Sequence, residues 1–454
     1  MFESLPGFRD FYPDDCARRN YLFRVWSQTA LRAGFLEYDI PTLEPLELLT
    51  TKSGPEIVSQ LFNFTDKGGR EVALRPELTP SLARMVGTHA NALKRPIKWF
   101  NIAENFRYEK PQKGRTRSHY QFNCDIFGES GPGADAELMA TCIESLRALG
   151  LGEGEFILRL SDRGLWMEYL ALLGISDDRA LAVLGVVDKL ERLEREEAIA
   201  LLKATLGEAA ADFLGQVETL IGLRNLDELN AFFTQSVFDG KDREPLQKRL
   251  EAFGELIARL EALDVASYVR IDFGIVRGLA YYTGFVFEVF ELSSRGTTGR
   301  ALAGGGRYDH LVGKLGYPEL PAVGFGMGDV TMMDLLMKKK RIPALAQNPD
   351  IYAVFGDDEP MHVAMRDVAR LRRIGLNVQY SLKSLGFGKQ FKLAGQSGAT
   401  LALIYGSDEI ASGLVRVKDP RSGKEATILS GGLEGQIQEI LAEGIHFPEE
   451  GVSH

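Results

Sequence analysis

The sequence predicts an α+β protein with an antiparallel sheet flanked by helices, a helical insertion and a C-terminal α/β domain. Strand-like and helix-like segments are interspersed over residues 1–161 and 264–337, which we expect to form one core together. Residues 162–263 are rich in Ala, Leu, Glu and Lys with helical periodicity, which predicts the insertion. Residues 338–350 contain KKKR and two prolines and indicate a linker, and residues 351–454 alternate strands with helices.

The composition limits the classes of protein that this chain can represent. Its 454 residues exceed a single core, and 45% hydrophobic with 26% charged residues is typical of a globular protein. The net charge of −10 argues against a general nucleic-acid coat but leaves room for a local basic surface. Three cysteines without zinc spacing predict reduced, intracellular thiols and no metal site. The polar N-terminus and the lack of a long apolar run predict no membrane contact and a cytoplasmic location.

Periodicity predicts the elements of the core in order. Residues 13–33 are expected to form a first helix, because Leu22, Trp26 and Ala30 recur at helical spacing. The other expected elements are a strand at 35–41, strand segments at 55–65 and 71–75 around a turn, helices over 79–86 and 134–148, strands at 155–160, 268–273 and 285–290, and a buried strand that runs into a helix over 322–337.

The C-terminal segment has its own alternating pattern. Apolar runs at 351–356, 377–382, 401–406 and 414–419 predict strands, and helices are expected over 360–373, 388–397 and 432–443. This order predicts a separate α/β domain of ordinary size.

A β-hairpin with a basic loop is the most informative local feature. Apolar or alternating segments on both sides of residues 106–125 predict its two strands. The loop concentrates cations in an otherwise acidic chain, which suits a polyanionic substrate. The alternative is a solvated charged loop without a ligand. The cations are Arg107, Lys110, Lys113, Arg115 and Arg117.

Other candidate binding segments contain glycines, tyrosines or an isolated charge. Glu77 precedes a helix and could bind an amino group, or it could only favour the helix N-terminus. Residues 276–284 combine an arginine with two tyrosines, and residues 304–309 combine three glycines with Arg307. Each is either a ligand site or a turn with packed aromatic residues. The glycines at 324–328 lack the G-x-G-x-x-G spacing, and no P-loop occurs, so neither nucleotide fold is expected.

Taken in order, these segments resemble a class II aminoacyl-tRNA synthetase, specifically the histidyl-tRNA synthetase family. LPGFRDFYPDD is similar to the N-terminal opening of that family, and GFLEYDIPTLEP resembles motif 1. LRPELTPSLAR and FRYEKPQKGRTRSHYQFNCDIFG resemble the LRPE-T segment and motif 2. VRGLAYYTGFVFE and AGGGRYDHLVG resemble the two histidine-binding segments, and residues 389–419 resemble the anticodon-binding domain. The resemblance covers nearly the whole chain and implies a class II catalytic domain.

The resemblance implies an enzyme that activates histidine with ATP to histidyl-adenylate and transfers it to the 3′ end of tRNA(His). Mg²⁺ would accompany ATP, without a metal site on the protein, and motif 1 implies a homodimer. Arg107 and Arg277 would be catalytic, stabilising the in-line transition state from opposite sides. By resemblance, the ATP site comprises Arg107, Glu109, Arg115, Arg277 and Gly326.

The resemblance also divides the remaining residues between histidine and tRNA. Glu77 and Gln121 would hold the amino group of histidine, while Asp125 and Tyr282 would bind its imidazole. Thr79, Tyr281 and Tyr308 would complete the histidine pocket, and the loop residues Lys113, Arg115 and Arg117 would contact tRNA.

This chain departs from the usual family pattern at three places. Asp125 stands where a glutamate is usual, and Ala280 where an aspartate is usual. Val330 and Thr331 occupy the positions of the Glu-Arg pair of motif 3, whose arginine clamps the ATP γ-phosphate. Either Arg307 or Arg115 replaces that arginine, or the ATP clamp is weakened.

Two alternatives belong to other functional classes. A non-aminoacylating paralogue could act as regulatory subunit of an ATP phosphoribosyltransferase, but such subunits typically lack the anticodon domain and have a degraded motif 2. A non-catalytic tRNA-binding module is the other alternative, and the presence of Glu77, Arg107 and Arg277 together argues against it.

Overall fold

The structure is a computed structural model that describes residues 2–53, 55–111, 114–235, 241–276, 281–293, 298–345, 348–356 and 359–443. The chain divides into two compact units, Met1–Pro343 and Ala344–His454, and the boundary lies within the predicted linker. The helical residues 163–262 belong to the first unit in this division, so their status as a separate domain stays a prediction.

The first unit contains the sheet elements of the predicted core. Its strands are β1 (Leu36–Glu37), β2 (Leu43–Pro45), β3 (Asn63–Thr65), β4 (Glu71–Leu74), β5 (Ile97–Phe106), β6 (Ser118–Phe127), β7 (Phe156–Asp162), β8 (Val269–Ile271), β9 (Phe285–Leu292), β10 (Thr298–Arg307) and β11 (Ala322–Gly328). Its helices are α1 (Pro13–Arg32), α2 (Leu46–Ser53), α3 (Thr79–Thr88), α4 (Pro132–Arg147), α5 (Arg163–Leu172), α6 (Asp177–Val187), α7 (Arg195–Leu206), α8 (Ala210–Gly222), α9 (Leu226–Gln235), α10 (Glu244–Ala262), α11 (Leu311–Lys314) and α12 (Asp329–Lys338).

An eight-stranded sheet forms the centre of this unit, in the order β1-β5-β6-β11-β10-β9-β7-β8. The strands from β5 to β7 in this order pair antiparallel, whereas β1 pairs parallel with β5, and β8 pairs parallel with β7. The predicted antiparallel sheet is therefore mixed at its two edges. A separate three-stranded sheet has the order β2-β4-β3.

Helices cover one face of the large sheet with a continuous apolar core. Leu22, Trp26 and Ala30 of α1 are buried in it, as their helical spacing predicts, and Pro13 starts the helix where its missing N–H costs nothing. The helix α10 buries Leu250 and Phe253 in the same apolar cluster. The helical residues thus share a core with the sheet through contiguous burial.

The second unit is a small α/β domain, as the sequence predicts. Its elements are β12 (Ile351–Phe355), α13 (Glu359–Arg373), β13 (Val378–Tyr380), α14 (Phe387–Ser397), β14 (Leu401–Tyr405), α15 (Ser407–Ala411), β15 (Leu414–Lys418), β16 (Glu425–Leu429) and α16 (Leu433–Glu443). The sheet order is β13-β12-β14-β15-β16, with parallel pairs around β12 and antiparallel pairs towards β16. Strand β16 was not predicted, because its residues are mostly half-exposed and lack an apolar run.

Two local predictions differ from the structure. Residues 55–60 form a 3-10 helix rather than part of a strand. Residues 304–306 lie inside β10, so the reading of this glycine segment as a turn is wrong. Hydrogen bonds to β9 and β11 on both sides hold these glycines in the sheet. Within the described ranges, helices that are both long enough and apolar enough to cross a bilayer do not occur.

Candidate active site

A pocket of about 90 Å³ opens on the face of the large sheet opposite the α1 core. The segments before and within α3, the strands β6, β10 and β11, and the residues before β9 contribute its walls. The lining residues are Glu77, Thr79, Arg107, Gln121, Asn123, Asp125, Tyr281, Tyr282, Gly304, Tyr308, Gly324, Phe325 and Gly326.

Side chains alternate between the two faces of β6, and its polar side chains line the pocket. Gln121, Asn123 and Asp125 are two residues apart and therefore lie on the same face of the strand. Phe122 and Cys124, between them, are buried in the core on the other face. The buried thiol of Cys124 has a pKa raised well above its usual value because burial disfavours the thiolate.

Glycines of β11 make room for these side chains. Gly324 pairs with Asp125 in the sheet register, and a Cβ at Gly324 would lie within 1.9 Å of the Oδ1 atom of Asp125. A Cβ at Gly326 would lie within 1.8 Å of the Nε2 atom of Gln121. Since no side chain fits at either position without displacing its neighbour, the glycines let Asp125 and Gln121 lean across β11.

A carboxylate–phenol pair forms the closed end of the pocket. The hydroxyl of Tyr308 donates a 2.5 Å hydrogen bond to the Oδ1 atom of Asp125. Burial, and then the negative charge of Asp125, raise the pKa of Tyr308 well above its usual value, so the phenol remains a donor at neutral pH. The ring of Tyr281 lies edge-on to Tyr308 at 5.9 Å and beside Tyr282 at 4.6 Å.

The opposite end of the pocket combines a cation with polar groups. Arg107 follows β5 directly, and its Nε donates to the carbonyl of Pro76 at 3.1 Å. This contact links the hairpin to the residue before Glu77. The Nδ2 group of Asn105 donates to the Oε1 atom of Gln121 at 3.0 Å, which orients the glutamine amide within the sheet.

Arg307 is part of a buried structural network and is not available for ATP. Its side chain is 4% exposed and forms an ion pair with Asp135, the N-terminal carboxylate of α4. It also donates to Asp309 at 3.0 Å and to the carbonyls of Glu129 and Gly131. The suggestion that Arg307 replaces the motif 3 arginine is therefore wrong, because its donors are already used inside the fold.

This network supports the residues that carry the tyrosines. The Oδ2 atom of Asp309 accepts a 3.1 Å hydrogen bond from the hydroxyl of Thr283, and the amide of Thr283 donates to the carbonyl of Arg307 at 2.8 Å. Tyr282 and Tyr308 are adjacent in sequence to these partners. Burial raises the pKa of Asp135 to about 6 although the Arg307 guanidinium lowers it.

The N-terminal segment meets motif 3 at Asp329, a contact that sequence analysis missed. The Nη2 atom of Arg9 lies 2.9 Å from the Oδ2 atom of Asp329, and the amide of Tyr120 donates to the Oδ1 atom at 2.9 Å. Burial, together with the positive charges of Arg107 and Arg9, lowers the pKa of His119 to about 3. His119 is therefore neutral at physiological pH.

The described site residues outside the pocket lie in or near the hairpin loop. Arg115 forms an ion pair with Glu109 and is half-exposed. Arg117 donates to the carbonyl of Glu109 at 3.1 Å and lies 4.5 Å from the ring centre of Tyr108. Lys113 and Arg277 lie outside the described residues.

The structure thus brings together all of the residues that sequence analysis assigned to histidine, with Arg107 and Gly326 beside them. It adds Asn123, Gly304, Gly324 and Phe325 to that set. The alternation of β6 could have identified Asn123, since it lies midway between Gln121 and Asp125. Within the described part of the chain, no group of three His, Cys, Asp or Glu side chains could hold a metal ion.

Comparison with known proteins relates this geometry to a family. A family model described as histidyl-tRNA synthetase matches residues 7–330, and one described as an anticodon binding domain matches residues 345–440. A curated relative, "Histidine--tRNA ligase" of Opitutus terrae, is 50% identical over 447 residues, covering 97% of this chain and 99% of its own length.

Solved structures share the fold. The histidyl-tRNA synthetase of Nostoc sp. PCC 7120 has a TM-score of 0.78 at 24% identity, covering 97% of this chain and 99% of that one. A Bacillus halodurans C protein, described as an ATP phosphoribosyltransferase regulatory subunit/histidyl-tRNA synthetase, has a TM-score of 0.71 at 21% identity, covering 90% and 99%. These similarities confirm the predicted α+β fold with a class II catalytic domain.

Proposed function

This chain belongs to the histidyl-tRNA synthetase family, and we propose that the pocket on its large sheet binds the histidine that the enzyme activates. As a histidine–tRNA ligase it uses histidine, ATP and tRNA as substrates. The 50% identity over nearly the full length, with a matched anticodon-binding domain, supports the ligase rather than the regulatory paralogue. The observation that carries the pocket assignment is the buried Tyr308–Asp125 pair at the closed end of a small cavity.

The closed end of the pocket suits an imidazole. Asp125 is an acceptor that Tyr308 keeps oriented, so it can accept the N–H of a neutral imidazole ring. Tyr281 and Tyr282 bring ring surface to the same place. A polar pair of this kind rejects an apolar side chain of similar size, because that side chain would leave the buried carboxylate without a hydrogen bond from the ligand.

The other end of the pocket suits the charged groups of an amino acid. Glu77, Thr79 and Gln121 offer oxygen acceptors for an α-ammonium group. Arg107 lies beside them and can fork onto the α-carboxylate or onto the α-phosphate of ATP. Histidine bound in this orientation would direct its carboxylate towards the cation and its side chain towards Asp125.

The chemical step follows from this orientation. A carboxylate oxygen of histidine attacks the α-phosphorus of ATP, the bond to the β-phosphate oxygen breaks, and pyrophosphate leaves. Arg107 would stabilise the charge that develops on the α-phosphoryl oxygens. We propose Arg277 as the second cation on the opposite side. In the second step the hydroxyl of the terminal tRNA adenosine attacks the acyl carbon, and AMP leaves.

A divalent metal would enter with ATP rather than reside on the protein. Class II enzymes of this type use ATP with a divalent metal, and we propose that Mg²⁺ is the ion. We expect substrate phosphates to supply most of the ligands of this ion, as is usual for Mg²⁺ at nucleotide sites. Glu109 and Gly326 remain proposed contacts for ATP. We also propose a homodimer from motif 1, and a cytoplasmic location because the substrates occur there.

The tRNA would contact the hairpin loop and the second unit. Arg115 and Arg117 lie on the loop side of the hairpin, away from the sheet residues that line the pocket, and Lys113 belongs to the same segment. We propose that these cations contact the acceptor end, because lysine and arginine side chains supply most non-specific affinity for nucleic acid. The matched anticodon-binding domain supports a second contact through residues 345–440.

The test is histidine-dependent exchange between ATP and labelled pyrophosphate by the purified protein. The wild-type protein should exchange label with histidine and not with other amino acids. Tyr308→Phe should raise the KM for histidine and leave the KM for ATP unchanged, because it removes only the donor to Asp125. Phe127→Leu, in the apolar cluster next to Tyr308, is a matched control that keeps the hydroxyl pair. Folded protein without histidine-dependent exchange would overturn the proposal.

A further inference from the structure

Asn123 is a pocket residue to which neither the family resemblance nor the proposed function gives a role. Asn123 is 5% exposed and lines the pocket between Gln121 and Asp125, on the same face of β6. Its Oδ1 atom is buried and, among the described residues, has no hydrogen-bond partner. Buried polar atoms are nearly always paired, so an orphaned acceptor in a ligand pocket indicates a partner that arrives with the ligand.

The neighbours of Asn123 in the sheet explain why its amide faces the pocket. Its register partner on β11 is Gly326, which has no side chain to contact it. Its partner on β5 is Asn101, whose Nδ2 group donates to the backbone carbonyl of Tyr38. Asn101 is equally buried but does not line the pocket. The two asparagines are therefore similar in chemistry and burial and differ in access to the ligand.

The chemistry of an amide complements that of a neutral imidazole. An imidazole has one N–H donor and one nitrogen acceptor, whereas a carboxylate can only accept. Asp125 can thus satisfy one ring nitrogen, and the other still requires a donor. The side-chain amide of asparagine contains both an acceptor and an NH₂ donor. A half-turn about its last torsion puts the NH₂ group of Asn123 where the unpaired Oδ1 atom lies, and from there it can donate to the second ring nitrogen.

We infer that Asn123 contacts the imidazole of bound histidine and, with Asp125, determines specificity for the ring nitrogens. The inference rests on the proposed binding of histidine in this pocket. Removal of the amide would leave one ring nitrogen unpaired in a buried site. The ring would still fit, but the pocket would distinguish histidine less well from a ring that lacks this nitrogen.

The experiment compares Asn123→Ala with the matched control Asn101→Ala in pyrophosphate exchange. Asn123→Ala should raise the KM for histidine about tenfold, and the KM for ATP should not change. Its preference for histidine over an analogue with carbon in place of one ring nitrogen should fall by a similar factor. Asn101→Ala should lower the melting temperature and leave both KM values and that preference unchanged. Asn123→Ser serves if the alanine variant does not fold.

The outcomes separate this inference from the proposed function. An unchanged KM for histidine in the Asn123 variant, or an equal rise in both KM values, overturns the role of Asn123. If Tyr308→Phe raises the KM for histidine in the same assay, the pocket assignment survives that result. If neither variant changes the KM for histidine, the histidine is not bound here, and both conclusions are overturned together.

Discussion

The two faces of the large sheet use the same strands for different purposes. On one face of β6, Phe122 and Cys124 are fully buried against α1 and its neighbours. On the other face, Gln121, Asn123 and Asp125 point into the pocket. Side chains alternate along a strand, so residues with opposite roles are separated by a single position.

The core face is held mainly by contacts between apolar and aromatic side chains. The ring of Phe122 stacks on Trp26 at 5.4 Å and lies edge-on to Phe325 at 5.5 Å. Such contacts stabilise the fold through burial of apolar surface and close packing.

The pocket face retains buried polar atoms, which are costly without a ligand. Oδ1 atoms of Asn101, Asn105 and Asn123 are buried there without partners among the described residues. A buried acceptor of this kind costs about 1–3 kcal/mol each. Of these three residues only Asn123 lines the pocket, so the core face stabilises the scaffold and the opposite face holds this unpaired acceptor where a ligand can reach it. Substitutions on the two faces should therefore separate stability from substrate affinity.

Phe122→Ala should have the largest effect and should act on stability. The free energy of unfolding should fall by about 3–5 kcal/mol, because a fully buried ring leaves a cavity. Calorimetry or urea denaturation measures the loss. The milder Phe122→Leu should lose much less, and the KM for histidine should not change in either folded variant. A selective rise of that KM would break the proposed separation of the two faces.

Gly324→Ala tests the pocket face with the smallest possible side chain. The new Cβ would lie within 1.9 Å of the Asp125 carboxylate, so Asp125 must move away from Tyr308. We expect kcat/KM for histidine to fall about a hundredfold, as for a misplacement of order 1 Å. Gly328→Ala on the same strand is the control, because its Cβ would meet only the hydroxyl of Thr331 at 4.0 Å. Equal activity of the two variants would contradict the role of Gly324.

His119 makes the stability of the fold depend on pH through the pocket face. It lies on the pocket face, and its pKa falls from 6.5 to about 3 on folding, so the unfolded state binds the proton more readily. Its contribution to stability is therefore present above pH 6.5 and lost as pH falls from 6.5 towards 3. The slope reaches about 1.4 kcal/mol per pH unit.

The variant His119→Gln should remove this slope. Unfolding free energies at pH 7.5 and 5.5 should differ by about 1 kcal/mol less in the variant than in the wild type. His310→Gln, at an exposed histidine, is the control and should keep the wild-type dependence. The same pH dependence in the His119 variant would show that another group causes it.

Arg115→Ala should have the smallest effect, because its side chain belongs to neither face. Its ion pair with Glu109 is half-exposed, so the free energy of unfolding should change by less than about 0.5 kcal/mol. The dependence of log tRNA affinity on log salt should lose a slope of about 1 if the guanidinium contacts a phosphate. Arg70→Ala, an exposed arginine paired with Asp66, should leave the slope unchanged. An unchanged slope in Arg115→Ala would remove this residue from the tRNA contact.

Much of the candidate site could be predicted from local pattern. Three parts of the site are each a continuous stretch of sequence: the hairpin, the segment before α3 and the tyrosine pair. Each was predicted as a binding segment. Arg307 was misjudged, because a charged residue beside glycines looks like a ligand contact until its partner is known. That partner, Asp135, is 172 residues away in the chain. Asn123 was missed because its residue type does not distinguish it from a structural asparagine such as Asn101; only its place between Gln121 and Asp125 on β6 indicates the pocket.

The sequence by itself determined the family, most of the order of helices and strands, and the types of residue that line the pocket. Periodicity and turn chemistry are local, and they act over a few residues. Only the tertiary structure decided which buried charged groups are paired inside the fold and which polar groups remain available to a ligand. The register between β6 and β11 and the packing of α4 against β10 determine this, because hydrogen-bond partners must be close in space.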